Sequence, residues 1–259
     1  EPLSLDEAYL DVTTTRTALP SATATAEAIR DAIRDELQLT ASAGIAPNKF
    51  LAKIASDWRK PDGQFVIRPH QVDAFLLPLP VGRLPGVGKV MEARLAALGI
   101  ATVGQLRARD ARELEERFGR WGRRLHELSH GIDEHPVQPE RPSLQVSSED
   151  TFEHDLPLDA LEPHIRRLAE KTWAGYRREP GRLARTVVLK LKTSDFRILT
   201  RSLTPPRVPG SATELADIAC GLRARVDLPA RTRYRLVGVG LANFRRHDEL
   251  PPQASLFGP

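Results

Sequence analysis

A single cysteine, Cys220, stands among 259 residues. One thiol closes no internal disulfide and builds no cysteine metal cluster, which fits a reducing cytoplasm. Its neighbours Leu215, Ile218, Ala219 and Leu222 mark it as a core thiol. No run approaches the ~20 apolar residues that a membrane-spanning helix requires, and the opening residues lack the basic, apolar, small pattern of a signal peptide. Aromatic residues make up 5% of the chain, too few for a stacking platform along single-stranded nucleic acid. What is present is ordinary for a globular protein: 41% hydrophobic and 28% charged residues, in a length that allows two small domains or one large one.

The net charge of +4 conceals an asymmetry. From Pro163 to Arg246 there are 19 Lys and Arg against 6 Asp and Glu, while the rest of the chain carries 19 against 28. A basic segment of this size suits a polyanion such as DNA, and an Arg-rich solvated surface is the plainer alternative.

The first motif with chemistry is Ser4-Leu5-Asp6-Glu7-Ala8-Tyr9-Leu10-Asp11-Val12. Two adjacent carboxylates interrupt a strand-like run. On a flat strand Asp6 and Glu7 point to opposite faces, so a sharp bend is needed for both to reach one hard divalent cation such as Mg²⁺. The spacing predicts a helix over 23–37 with Ala26, Ile29, Ile33 and Leu37 as its stripe, and a short strand over 41–45. Asn48 then caps a helix whose apolar face is Leu51, Ile54, Ala55 and Trp58. Pro61 and Gly63 end that helix, and 64–67 returns as a strand.

Leu84-Pro85-Gly86-Val87-Gly88-Lys89 has the form of a hairpin between helices. Its free amides, with the N-terminus of the following helix, suit one phosphate of a DNA backbone. A helix over 90–98 ends at Gly99, and two more follow around 111–118 and 121–130. Pro136, Pro139 and Pro142 mark a linker. Beyond it the pattern is a strand near 144–152, a helix over 161–178 with Ile165, Leu168, Ala169, Thr172 and Tyr176 inward, and a strand over 186–192. That strand alternates, with Val187, Leu189 and Leu191 on one side and Val188, Lys190 and Lys192 on the other. A hairpin partner over 195–203, a helix over 212–226 and a last strand over 233–244 complete a β-α-β-β-α-β order. This is a ferredoxin-like unit with one open sheet face. Lys190, Lys192, Arg201, Arg233 and Arg235 are expected to form a basic strip there.

These strings resemble the Y-family of translesion DNA polymerases, most of all its bacterial DNA polymerase IV branch. The Ser-x-Asp-Glu-Ala-Tyr-Leu-Asp motif, the Asn-Lys-x-x-Ala-Lys-x-Ala and Lys-Pro-x-Gly pieces, the Leu-Pro-Gly-Val-Gly hairpin and Gly131-Ile132-Asp133 carry the likeness across nearly the whole chain. The resemblance implies an α+β multidomain protein: a partial palm over 1–68, a helical helix-hairpin-helix thumb over 69–135, a linker over 136–147, a little finger over 148–248 and a flexible tail over 249–259. It implies a two-metal Mg²⁺ site with Asp6 and Glu7 as catalytic metal ligands, Lys60 on the triphosphate, and Gly86, Val87, Gly88 and Lys89 on DNA. It implies primer-template DNA and deoxynucleoside triphosphates as partners, and a monomeric protein at the bacterial nucleoid.

In the tail, Gln253, Ser255, Leu256 and Phe257 resemble the short peptide by which bacterial polymerases hold the sliding clamp. Packing of Leu256 and Phe257 back on the little finger is the alternative. The family's palm begins about a hundred residues ahead of the Ser-x-Asp-Glu motif, in a stretch this sequence does not contain. That stretch holds the first metal-binding aspartate, the fingers, and the aromatic residue that screens the incoming sugar. The expectation is therefore a polymerase parent and an inactive chain in isolation. Beside the enzyme stands a second reading, a non-catalytic DNA- and clamp-binding module that is either a fragment or an accessory paralogue. A helix-hairpin-helix repair nuclease is disfavoured, because nothing after the hairpin supplies the Lys and Asp such enzymes use.

Overall fold

The computed structural model describes residues 1–14, 17–140, 142–179 and 181–246. The chain divides after Glu140 into two compact units. The first opens on a bend: the amides of Leu3 and Ser4 both donate to the Glu7 carbonyl, and Pro2 bridges Ala8. Helix α1 (Ala22–Leu37) follows, capped by Ser21. Strand β1 (Ala43–Ile45), helix α2 (Lys49–Trp58) and strand β2 (Gln64–Val66) then form a crossover, with β1 and β2 parallel. Gly44 is the residue this crossover needs. A Cβ there would lie 2.1 Å from the Ala52 carbonyl of α2, so only glycine lets helix and strand approach so closely.

Helices α3 (Val72–Leu76), α4 (Lys89–Ala96), α5 (Val103–Arg107), α6 (Ala111–Phe118) and α7 (Arg120–Ser129) complete the unit. Phe50, Leu51 and Ile54 of α2 share one core with Leu76, Leu84, Leu95, Leu106, Leu114 and Leu125. Apolar burial at about 25 cal/mol per Å² is the main force holding these short helices together, since none is long enough to persist alone.

The second unit contains β3 (Gln145–Pro157), α8 (Glu162–Tyr176), β4 (Arg182–Thr193), β5 (Ile198–Leu203), α9 (Ala212–Gly221) and β6 (Arg233–Arg246). The β-α-β-β-α-β order is the expected one, and the strands lie β3-β6-β4-β5, all antiparallel. Val187, Leu189 and Leu191 of β4 and Val237, Val239 and Leu241 of β6 are fully buried beneath Ile165, Leu168, Leu215 and Ala219 of the two helices. Thr172 is buried as well, and its hydroxyl donates to the Val239 carbonyl across that layer (3.0 Å). The other sheet face carries no helix among the described residues of this unit. Cys220 is half-buried against the same core, and burial pushes its thiol pKa up.

Several expectations are corrected here. No residue of α1 is fully buried and Leu37 is 62% exposed, while Ala26 and Ile33 of its stripe are half-buried where the helix lies against β1 and β2. Trp58 is half-exposed and packs edge-on to Phe75 instead of filling the α2 core, where Phe50 sits. Tyr176 does pack against the core of the second unit, half-buried, and its hydroxyl donates to the Arg182 carbonyl. The last helix breaks at Gly221 into a 3₁₀ turn over Leu222–Arg225.

Candidate active site and nucleic-acid interface

A bend at Ser4–Asp6 leads directly into the Asp-Glu pair. The Ser4 hydroxyl donates to Asp6 Oδ1 at 2.7 Å. Glu7 Oε2 takes the Lys53 ammonium at 2.7 Å. The Asp6 carboxyl is held below the usual carboxylate range, first by the Ser4 hydrogen bond and then by its own amide, with Lys60 and Lys53 adding attraction. Lys60 in turn is raised, chiefly by Asp57 at 2.6 Å and further by Glu7 and Asp6. So Asp6, Glu7, Lys53 and Lys60 share one electrostatic site on the exposed side of α2. Sequence reasoning assigned three of these residues and passed over Lys53. Its signal was the register of α2: Lys53 sits one turn beyond Lys49 on a face that avoids the core.

The loop carrying Lys60 is braced from α1. Asp62 adopts a left-handed backbone (φ 48°), which aspartate tolerates better than most residues. Arg30 donates to the Asp62 carbonyl (2.7 Å) and carboxylate (2.8 Å) and to the Ala41 carbonyl (2.9 Å). Arg34 adds a second guanidinium at 2.9 Å. The two arginines hold the Asp62 carboxyl below its ordinary pKa.

The other lysine of this helix is used differently. Lys49 pairs with Glu1 (2.7 Å) and donates to the Pro136 carbonyl (2.9 Å). Asn48 caps α2 through the Leu51 amide and reaches the Gly131 carbonyl (2.8 Å). Asp133, 5% exposed, accepts from the Phe50 amide and from Arg124 at 2.6 Å. Burial works against its ionisation, but the His135 and Arg124 hydrogen bonds outweigh it and lower the pKa.

At the hairpin, Gly86 has φ +88°, and a Cβ there would meet the Trp121 ring at 2.6 Å. Glycine is therefore required twice over, by backbone and by contact. Gly88 is the N-cap of α4, has open space around it, and offers no side chain to the first-turn amides. Lys89 and Val90 are exposed beside them. Val87 is the exception: its side chain is buried and its amide is spent on the Leu84 carbonyl, so it stands outside the phosphate-facing set.

In the second unit, register decides which cations share a face. Lys190 and Lys192 lie opposite Gly238 and Leu236 on the helix-free side, and Arg233, next to buried Tyr234, is exposed. Arg201 lies opposite buried Leu189 and so belongs to the helix side, where its guanidinium donates to the Arg225 carbonyl (2.7 Å). It is removed from the basic strip. Gln253, Ser255, Leu256 and Phe257 lie outside the described residues. No helix among the described residues is long and apolar enough to cross a membrane.

Comparisons with known proteins agree in direction. The impB/mucB/samB family matches residues 1–57, its C-terminal domain matches 143–256, and the DNA polymerase-iota thumb domain matches 82–133. The chain is 64% identical over 259 residues to a DNA polymerase IV of Xanthomonas campestris pv. campestris (strain 8004), covering 100% of this chain and 72% of the relative. It is 52% identical over 243 residues to a DNA polymerase IV of Neisseria meningitidis serogroup A, covering 94% and 69%. A solved Y-family DNA polymerase chimera, Dbh-Dpo4(243-245)-Dbh, superposes with a TM-score of 0.74 at 26% identity, over 85% of this chain and 63% of that one.

Proposed function

Because the chain belongs to the Y-family of DNA polymerases, in its DNA polymerase IV branch, we propose that it serves template-directed, error-prone nucleotidyl transfer past damaged DNA. The observation that carries this reading is the convergence of Asp6, Glu7, Lys53 and Lys60 on one side of α2. Carboxylate oxygens exposed beside a flexible ammonium suit Mg²⁺ and a triphosphate, so the residues present fit that cofactor. Asp6 and Glu7 would hold it, and bound there it supplies charge against the phosphoryl group in transfer. Lys60 binds the triphosphate of the incoming deoxynucleotide as a point charge. Ser4 and Lys53 fix the two carboxylate orientations. The Gly86–Lys89 turn and the α4 N-terminus take a phosphate of the primer-template. The open sheet face of the second unit grips the duplex, and residues 253–257 tether the protein to the sliding clamp. A monomer working in the bacterial cytoplasm, at the nucleoid, completes the reading.

The second reading is a DNA- and clamp-binding module, in which the chain by itself binds primer-template without extending it. Primer extension with Mg²⁺ and four nucleotides tests this. We expect none from the chain alone, and extension once the segment that family members carry ahead of the Ser-x-Asp-Glu motif is fused to it. Extension that survives Asp6→Ala with Glu7→Ala contradicts the assignment of the site.

A further inference from the structure

The basic strip is not uniform, and its chemistry separates cations that are spent from cations that are free. Lys190 is spent: its ammonium meets Glu149 at 2.7 Å across Gly238, which lies opposite both residues. That row of the sheet has no net charge. Lys192 and Arg235 are arranged otherwise. Phe196 stands in the β4–β5 turn with a left-handed backbone (φ 67°) and is 59% exposed. The Lys192 ammonium lies 4.8 Å from its ring centroid and the Arg235 guanidinium 4.1 Å. No carboxylate pairs with either cation among the described residues. An exposed phenylalanine in strained backbone serves no core; here its ring lies within cation–π reach of two long cationic side chains.

We propose that Phe196, Lys192 and Arg235 form a preorganised clamp for phosphates of the DNA backbone, and that Glu149 restrains the same sheet face by neutralising Lys190. Phe196 is a positioning residue in this assignment. Long cationic side chains lose rotamer freedom on binding, and a platform that orders them beforehand lowers that cost. The occupant is nucleic-acid backbone because the free groups are cations without a neighbouring acceptor or apolar pocket, in the segment where Lys and Arg outnumber Asp and Glu 19 to 6. The assignment rests on the DNA-gripping reading above.

The test is duplex binding by the full chain, followed by fluorescence anisotropy between about 50 and 200 mM salt. Lys192→Ala and Arg235→Ala are each expected to lower the slope of log affinity against log salt by about 0.9. Phe196→Leu keeps every charge, so it should weaken binding about three- to tenfold with the slope unchanged, and Phe196→Tyr should restore affinity. Lys190→Ala should change little, and Glu149→Gln should tighten binding. Phe196→Leu at unaltered affinity, Phe196→Tyr as weak as Phe196→Leu, or Lys190→Ala as damaging as Lys192→Ala overturns the clamp. Absence of salt-dependent duplex binding by the unaltered chain overturns the DNA-gripping reading itself, a result distinct from any of these.

Discussion

The two units place their charges by different means. In the first, most candidate functional groups stand at backbone irregularities, the bend before Glu7, the left-handed Asp62 loop, the Gly86 turn and the uncapped start of α4, while Lys53 rides on regular α2. In the second, most charges ride on regular strands where pairing register decides which of them meet, while Lys192 and Arg235 meet at a register shift beside the left-handed Phe196 turn. An irregular site is written in a short, contiguous string. A sheet face is written across four strands distant in sequence, and one residue of register error inverts it. On the proposed reading, the first unit gathers few charges tightly for one substrate group, while the second spreads many over a surface.

Substitution at the carboxylates should expose this difference most strongly. In an extension-competent fusion, Glu7→Ala is expected to cost about 10³-fold or more in turnover while duplex affinity stays unchanged. Steady-state extension beside anisotropy checks it, and equal loss of both would merge the two roles. Next in size is Asp133→Ala. It leaves Arg124 and the Phe50 amide without their acceptor and should destabilise the first unit by about 2 kcal/mol. Calorimetry should show that loss in one transition only, with the second unit's melting unmoved.

How far the sequence reveals each unit follows from the same contrast. Asn48 as helix cap, the Gly86 turn and the alternation of Val187, Leu189 and Leu191 were legible, because each depends on neighbours within one turn or one strand. The stripe of α1 was legible as a helix but not as a surface, since amphipathic spacing cannot say whether a partner covers it. Arg201 was misplaced because the face it takes depends on how many residues the turn before β5 consumes. Phe196 and Trp121 went unassigned for a similar reason. Their meaning lies in a left-handed turn and in contact with Gly86, neither of which has a local pattern.

A smaller effect concerns acid. Asp62 has a depressed folded pKa, so its contribution is fully present above the ordinary carboxylate pKa of about 3.9 and is lost as pH falls through the folded value. The Tm difference between the unaltered chain and Asp62→Asn should therefore be constant near neutrality and shrink below about pH 4. A difference independent of pH would show that the Arg30 and Arg34 contacts do not depend on the carboxylate charge. The smallest effect is the sharpest for register. Arg201→Ala should lower the stability of the second unit by about 1 kcal/mol through its lost bond to the Arg225 carbonyl, with no change in salt slope.

The most direct test of the whole account is primer extension by the fused chain and its Asp6→Ala, Glu7→Ala variant, with duplex affinity measured on the same preparations. The account predicts that the double variant loses extension and keeps its grip on the duplex. Extension by that variant, or loss of duplex binding along with extension, would contradict it.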